Sequence, residues 1–110
     1  MKNLSPKEWK AAYEGEELAM IIDIRSPDQW EKGDISGAVC IDMDHTTTFI
    51  KELERYPKSI PYYVFSLMGI RSQTACLIME DLGFKSTYSL DGGILRWNKE
   101  IASTKKSKKI

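Results

Sequence analysis

Pro61-Tyr62-Tyr63-Val64-Phe65 runs directly into Ser66-Leu67-Met68-Gly69-Ile70-Arg71-Ser72, and this stretch decides the fold class. Its first five residues are β-formers behind an initial proline, apolar on both faces, the pattern of a strand buried on both sides of a sheet. A short loop holding Gly69 follows. A helix is then expected from about Ser72 to Leu82, stopped by Gly83. A buried strand feeding a helix through a tight loop is the repeating unit of an α/β protein.

The same alternation continues on both sides. Towards the N-terminus, Pro57 closes a helix expected over Thr46–Tyr56, with Phe49, Ile50, Leu53 and Tyr56 on one face. Ala38-Val39-Cys40-Ile41 reads as a strand. Ser26-Pro27-Asp28-Gln29 carries a capping signature for a helix of about two turns ending at Gly33. Leu18-Ala19-Met20-Ile21-Ile22, closing on Asp23-Ile24-Arg25, reads as another buried strand. Ser5-Pro6-Lys7-Glu8 is a capping box for a helix through Trp9, Ala12 and Tyr13 to near Gly15, and the chain is expected to enter that helix directly from Met1. Towards the C-terminus come a strand over Ser86–Leu90, a turn at Asp91-Gly92-Gly93 and a last helix from Ile94 to about Ile101. Strands alternating with helices imply right-handed crossovers and a mainly parallel sheet covered on both faces. Ligand sites in such sheets lie beyond the carboxyl ends of the strands, here just after Ile24, Ile41, Phe65 and Leu90.

Composition narrows the function classes. The 110 residues suit one domain, with a boundary expected at 103 and a basic tail over 104–110. Apolar residues at 42% and charged residues at 29% are ordinary for a soluble globular protein. Sixteen basic residues balance 16 acidic ones, which gives no reason to expect nucleic acid as a partner. The local exception is Lys105, Lys106, Lys108 and Lys109, a terminal charge run expected to be a solvated end. No apolar run approaches the ~18 residues that span a membrane, so no membrane partner is expected. The start of the chain does not read as a signal peptide. The two cysteines, Cys40 and Cys76, have neither zinc nor disulfide-framework spacing, and a reducing, cytoplasmic setting follows as the default. No metal or cofactor is expected.

Chemistry concentrates in the loop after Phe65. Gly69 permits tight curvature, so that successive N–H groups line one concavity, and the following helix adds unpaired donors and the positive end of its dipole. Arg71 adds a forked, permanently charged donor set. Read from residues alone, this is either an anion cradle with the Ser66 hydroxyl at its entrance or an ordinary strand-to-helix loop whose arginine pairs with a carboxylate.

The loop resembles the rhodanese motif Cys-x-x-Gly-x-Arg-Ser, matching at Gly69, Arg71 and Ser72. Asp23-Ile24-Arg25, with Trp30, Gly33, Ile35, Gly37 and Ala38, resembles that family's Asp-x-Arg … Gly-His-Ile-x-Gly-Ala block. Gly83-Phe84, Tyr88, Leu90, Gly92-Gly93-Ile94 and Trp97 resemble its closing block, and order and spacing hold from about residue 4 to residue 100. The resemblance implies a single rhodanese-like α/β domain with a five-stranded parallel sheet flanked by helices. It also implies sulfurtransferase chemistry, in which a loop cysteine takes sulfane sulfur from a donor such as thiosulfate and passes it to a thiol or cyanide. The implied partners are a small sulfur oxyanion and a thiol or persulfide acceptor, with room for a protein partner. Leu67, Met68, Gly69, Ile70, Arg71 and Ser72 would form the anion-binding loop around position 66, with Asp23 and Arg25 in support. The span from Ser66 to Arg71 has the sulfurtransferase length, one residue shorter than in the related phosphatase-type proteins.

The resemblance places Ser66 at the cysteine position. A hydroxyl without a neighbouring base is a weak nucleophile and cannot carry a persulfide, so the domain is expected to be inactive in sulfur transfer. Two hypotheses follow: a sulfurtransferase whose Ser66 is either an engineered Cys→Ser change or a local loss of the nucleophile, and a natural non-catalytic homologue that binds an anion or a protein. Asp34 stands where the family often has histidine, and Gln29 where an acidic residue is common. Cys40 and Cys76 are expected to be buried packing residues, Trp30 and Trp97 core or edge packing, and His45 part of a solvated loop. Asp23 is expected to orient the loop by pairing with Arg71, with Arg25 as a structural ion-pair partner.

Overall fold

The computed structural model describes residues 1–102 and contains one five-stranded sheet in the order β1-β5-β4-β2-β3, with every neighbouring pair parallel. The strands are β1 (Lys2–Leu4), β2 (Met20–Asp23), β3 (Ala38–Cys40), β4 (Pro61–Phe65) and β5 (Ser86–Leu90). The helices are α1 (Pro6–Glu14), α2 (Thr46–Leu53), α3 (Ile70–Asp81) and α4 (Gly93–Trp97). A 3₁₀ segment, Pro27–Lys32, joins β2 to β3, and a π-helical turn, Asn98–Ala102, continues α4. The basic tail lies outside the described residues.

Strand β4 sits at the centre of the sheet and shows why both faces are covered. Its side chains alternate with the period of two that a pleated strand imposes. Tyr62 and Val64 join a core under α2 and α3 with Ile22, Phe49, Leu53 and Met79. Tyr63 and Phe65 join the opposite core under α1 and α4 with Trp9, Leu90 and Ile94. All four of these β4 side chains are at most 1% exposed, and each such burial contributes roughly 1.5–3 kcal/mol.

The capping box at α1 forms as read: the Glu8 N–H donates to Ser5 Oγ at 3.3 Å, and the Ser5 N–H donates to Glu8 Oε1 at 3.0 Å. The largest difference from the sequence reading is β1. Lys2–Leu4 carries no apolar pattern, and it becomes a strand by pairing its backbone along the free edge of β5, Leu4 opposite Leu90. The segment after Ser26 forms a 3₁₀ helix instead of a two-turn α-helix, without a side-chain cap from Ser26. Helix α2 ends at Leu53, short of Tyr56, and α3 begins at Ile70, two residues ahead of the expected Ser72. No helix among the described residues is long and apolar enough to cross a membrane.

Candidate functional site

Strand β4 ends at Phe65, so Ser66 emerges at the carboxyl end of the central strand, between β2 and β5. The loop from Ser66 to Gly69 curls back over the sheet. Gly69 sits at φ 91°, in the left-handed region, and a Cβ there would lie 2.7 Å from the Gly92 nitrogen and 2.9 Å from the Leu90 oxygen. The turn after β5 clasps the loop from beside it. The Ile94 N–H donates to the Ser66 oxygen at 3.0 Å, and the Leu95 N–H to the Leu67 oxygen at 3.2 Å.

Ser66 is buried, and its hydroxyl has a full set of partners. The N–H groups of Gly69 and Ser72 converge on Oγ at 3.1 and 3.2 Å. Ser66 Oγ donates to Ser72 Oγ at 3.2 Å. Ser72 Oγ donates in turn to the Gly69 oxygen at 3.3 Å and lies 2.7 Å from Ser89 Oγ. A hydroxyl holds two lone pairs and one proton, so two accepted bonds and one donated bond saturate Ser66. Among the described residues no base contacts it. The N–H groups of Met68, Ile70 and Arg71 meet no acceptor among the described residues, which leaves donors at the start of α3 for an anion. A cleft of about 90 Å³ opens above Ser66, walled by the apolar side chains of Ile24, Leu67, Met68 and Ile70 and flanked by Arg25 and Arg71.

The expected Asp23–Arg71 pair does not form. Both Asp23 oxygens are taken by Arg25, Oδ1 by Nε and Oδ2 by Nη2, each at 2.9 Å. The same guanidinium donates to the Gln29 and Gly33 oxygens at 2.9 Å and stacks over the Phe65 ring at 5.2 Å. Asp23 therefore fixes Arg25, and Arg25 fixes the 3₁₀ segment. Arg71 pairs instead with Asp44, at 2.6 Å, on the half-exposed rim of the cleft.

The cysteines divide. Cys76 is buried in α3, and loss of hydration pushes its thiol up to about 12. Cys40 is exposed at the end of β3, against the expectation of burial, because β3 is the sheet's edge strand. Partial burial, with the Asp23 and Asp34 carboxylates, raises its thiol as well. Trp97 packs against the core containing Trp9, whereas Trp30 is 43% exposed, since the 3₁₀ segment turns it off the sheet. His45 is exposed at the start of α2 and makes no hydrogen bond to Ser66. Among the described residues no three His, Cys, Asp or Glu side chains group as metal ligands. Two contributors went unread in the sequence: Ser89, whose inward register on β5 is visible only once the sheet is assembled, and Asp44, which carries no local signal.

This architecture, a parallel sheet with a curled loop at the carboxyl end of its central strand, is that of the rhodanese fold. The family model described as Rhodanese-like domain matches residues 5–100, and the chain belongs to that family. A rhodanese-like domain protein from Staphylococcus aureus superposes with a TM-score of 0.77 at 27% identity, covering 92% of this chain and 95% of that one. A rhodanese-related protein from Thermoplasma volcanium, 19% identical, shares the fold with a TM-score of 0.76 over 92% of this chain and 94% of its own. Among curated relatives, a tRNA uridine(34) hydroxylase of Bdellovibrio bacteriovorus is 32% identical over 100 residues, 89% of this chain and 29% of its own length. One of Protochlamydia amoebophila is 30% identical over 101 residues, 87% of this chain and 32% of its own length. The chain thus spans about a third of the length of these relatives. Their names speak of a tRNA uridine and not of thiosulfate, so the expectation of no nucleic-acid partner finds no support.

Proposed function

We propose that this rhodanese-like domain is a binding module whose loop, Ser66 to Ser72, holds a small anion, and that no persulfide route runs through residue 66. The observation that carries this reading is the saturated, base-free hydroxyl of Ser66, held by the Gly69 and Ser72 N–H groups and by Ser72 Oγ. The resemblance places the family's cysteine at that position. A serine there keeps the cradle's hydrogen bonds but lacks the soft, ionisable sulfur on which a persulfide forms. The free N–H groups at the start of α3, with Arg71, support weak binding of sulfate or thiosulfate. Two measurements test the reading together. Thiosulfate and cyanide with this chain should yield no thiocyanate above buffer, and sulfate titration should perturb the Met68 and Ile70 amides in a way that Arg71→Ala removes. Thiocyanate production by the unaltered chain, or binding indifferent to Arg71→Ala, overturns it.

The similarity to the tRNA uridine(34) hydroxylases favours a second reading, in which this domain is one module of a larger tRNA-directed protein. Gel-shift titration of bulk tRNA at low salt tests whether the domain itself contributes to such binding. Absence of a salt-sensitive shift would place any tRNA contact outside residues 1–110.

A further inference from the structure

The cleft above Ser66 has two cations in its wall, Arg25 and Arg71, and each is already neutralised from within the chain. The Arg25 side chain is 1% exposed and has all three nitrogens engaged: Nε and Nη2 on Asp23, Nη2 also on the Gly33 oxygen, and Nη1 on the Gln29 oxygen. Arg71 is the half-exposed one, and Asp44 meets it at 2.6 Å. Asp44 does not reach this position by chance of rotamer alone, because its backbone is pinned. The Ile41 N–H donates to the Asp23 oxygen at 2.9 Å, and the Met43 N–H to the Ile24 oxygen at 3.2 Å. The Asp44 N–H donates to Asp42 Oδ1 at 2.8 Å, so a second carboxylate belongs to the same turn. The segment after β3 is thereby tied to the end of β2, with its acidic side chain facing the start of α3. The rest of the rim is apolar: Met68 is 59% exposed and Ile70 68% exposed, beside Ile24 and Leu67 in the cleft wall.

We propose that Asp44 is a specificity-determining residue of this cleft, which through its hold on Arg71 selects ligands of at most one negative charge and an apolar body, and disfavours dianions. The inference rests on the reading of the loop as an anion site and names the ligand class that site takes. A dianion must displace the Asp44 carboxylate from Arg71 or accept its repulsion. A monoanion needs only the backbone donors at the start of α3, while its apolar part lies against Met68 and Ile70. Because the Arg71–Asp44 pair is half exposed, its effect on affinity is modest and sensitive to salt.

The test compares sulfate with methanesulfonate, which shares the sulfonyl oxygens but carries one charge and a methyl group. Binding is read from amide shifts in nitrogen-15 spectra at low ionic strength, which also report that each variant is folded. The unaltered chain should bind methanesulfonate at least as tightly as sulfate. Asp44→Asn should tighten sulfate by about two- to five-fold, the scale of a half-exposed ion pair, and methanesulfonate by less. Equal shifts for both anions, or none, with binding still dependent on Arg71, overturn the role of Asp44 and leave the anion site standing. Absence of binding by either anion in every variant overturns both.

Discussion

Asp23 and Arg25, two residues apart at the end of β2, form a two-pronged ion pair with both side chains 1% exposed and both prongs at 2.9 Å. The arginine's remaining donors hold the Gln29 and Gly33 oxygens, so one buried contact fixes the course of the chain from β2 to β3. Removing one partner of such a pair strands the other charge without water. Asp23→Ala should therefore destabilise the domain by about 3–5 kcal/mol, read as a lowered urea midpoint with an unchanged slope. A loss below ~1 kcal/mol would mean that Arg25 finds another anion or reaches solvent.

Installing a thiol at position 66 should install sulfur-transfer chemistry. In Ser66→Cys the sulfur replaces a hydroxyl that accepts from the Gly69 and Ser72 N–H groups, beside the start of α3. Those donors stabilise a thiolate, so its pKa should fall below the ~8.5 of a free cysteine. Incubation with thiosulfate should add one sulfur atom in intact mass, and cyanide should remove it as thiocyanate. A folded variant with an ordinary thiol and no persulfide would show that the cradle does not support this chemistry.

Gly93 is where the turn after β5 meets the loop. Its φ is 62°, and a Cβ would lie 2.4 Å from the Leu67 oxygen and 2.6 Å from the Ser66 oxygen. Gly93→Ala should cost at least about 1–3 kcal/mol from backbone conformation alone, with the clash in addition. The shift should spread in amide spectra to Ser66–Gly69. A neutral effect would mean that the turn separates from the loop freely.

Alkaline pH should weaken the fold. Burial raises the Cys76 thiol from 9.0 to about 12 and the Tyr63 phenol from 10.0 to about 12. Between about pH 9 and 12 the unfolded chain has released protons that the folded chain keeps, so the unfolded state binds fewer protons and stability falls as pH rises. The contribution is fully present below pH 9. Urea midpoints measured from pH 7 to 10.5 should decline, and Cys76→Ala should flatten part of that slope. An unchanged slope in that variant would exclude the thiol as a source.

Local sequence was enough for whatever depends on neighbours along the chain. The apolar run of β4 and the box at Ser5 and Glu8 were legible, as were Gly69 before a helix and the glycine pair after β5, because strand burial, capping and tight turns are short-range. Partner choice was not legible. Arg71 lies far in sequence from both Asp23 and Asp44, and nothing local says which carboxylate it meets. The assembled sheet decides it: Asp23 points into a buried corner where Arg25 already fills both oxygens, while the segment after β3 carries Asp44 to the rim. The same holds for Lys2–Leu4, a strand only because β5 offers it an open edge, and for Cys40, exposed only because β3 forms the opposite edge. These features are set by long-range packing of elements whose own sequences carry no record of which neighbour they will meet.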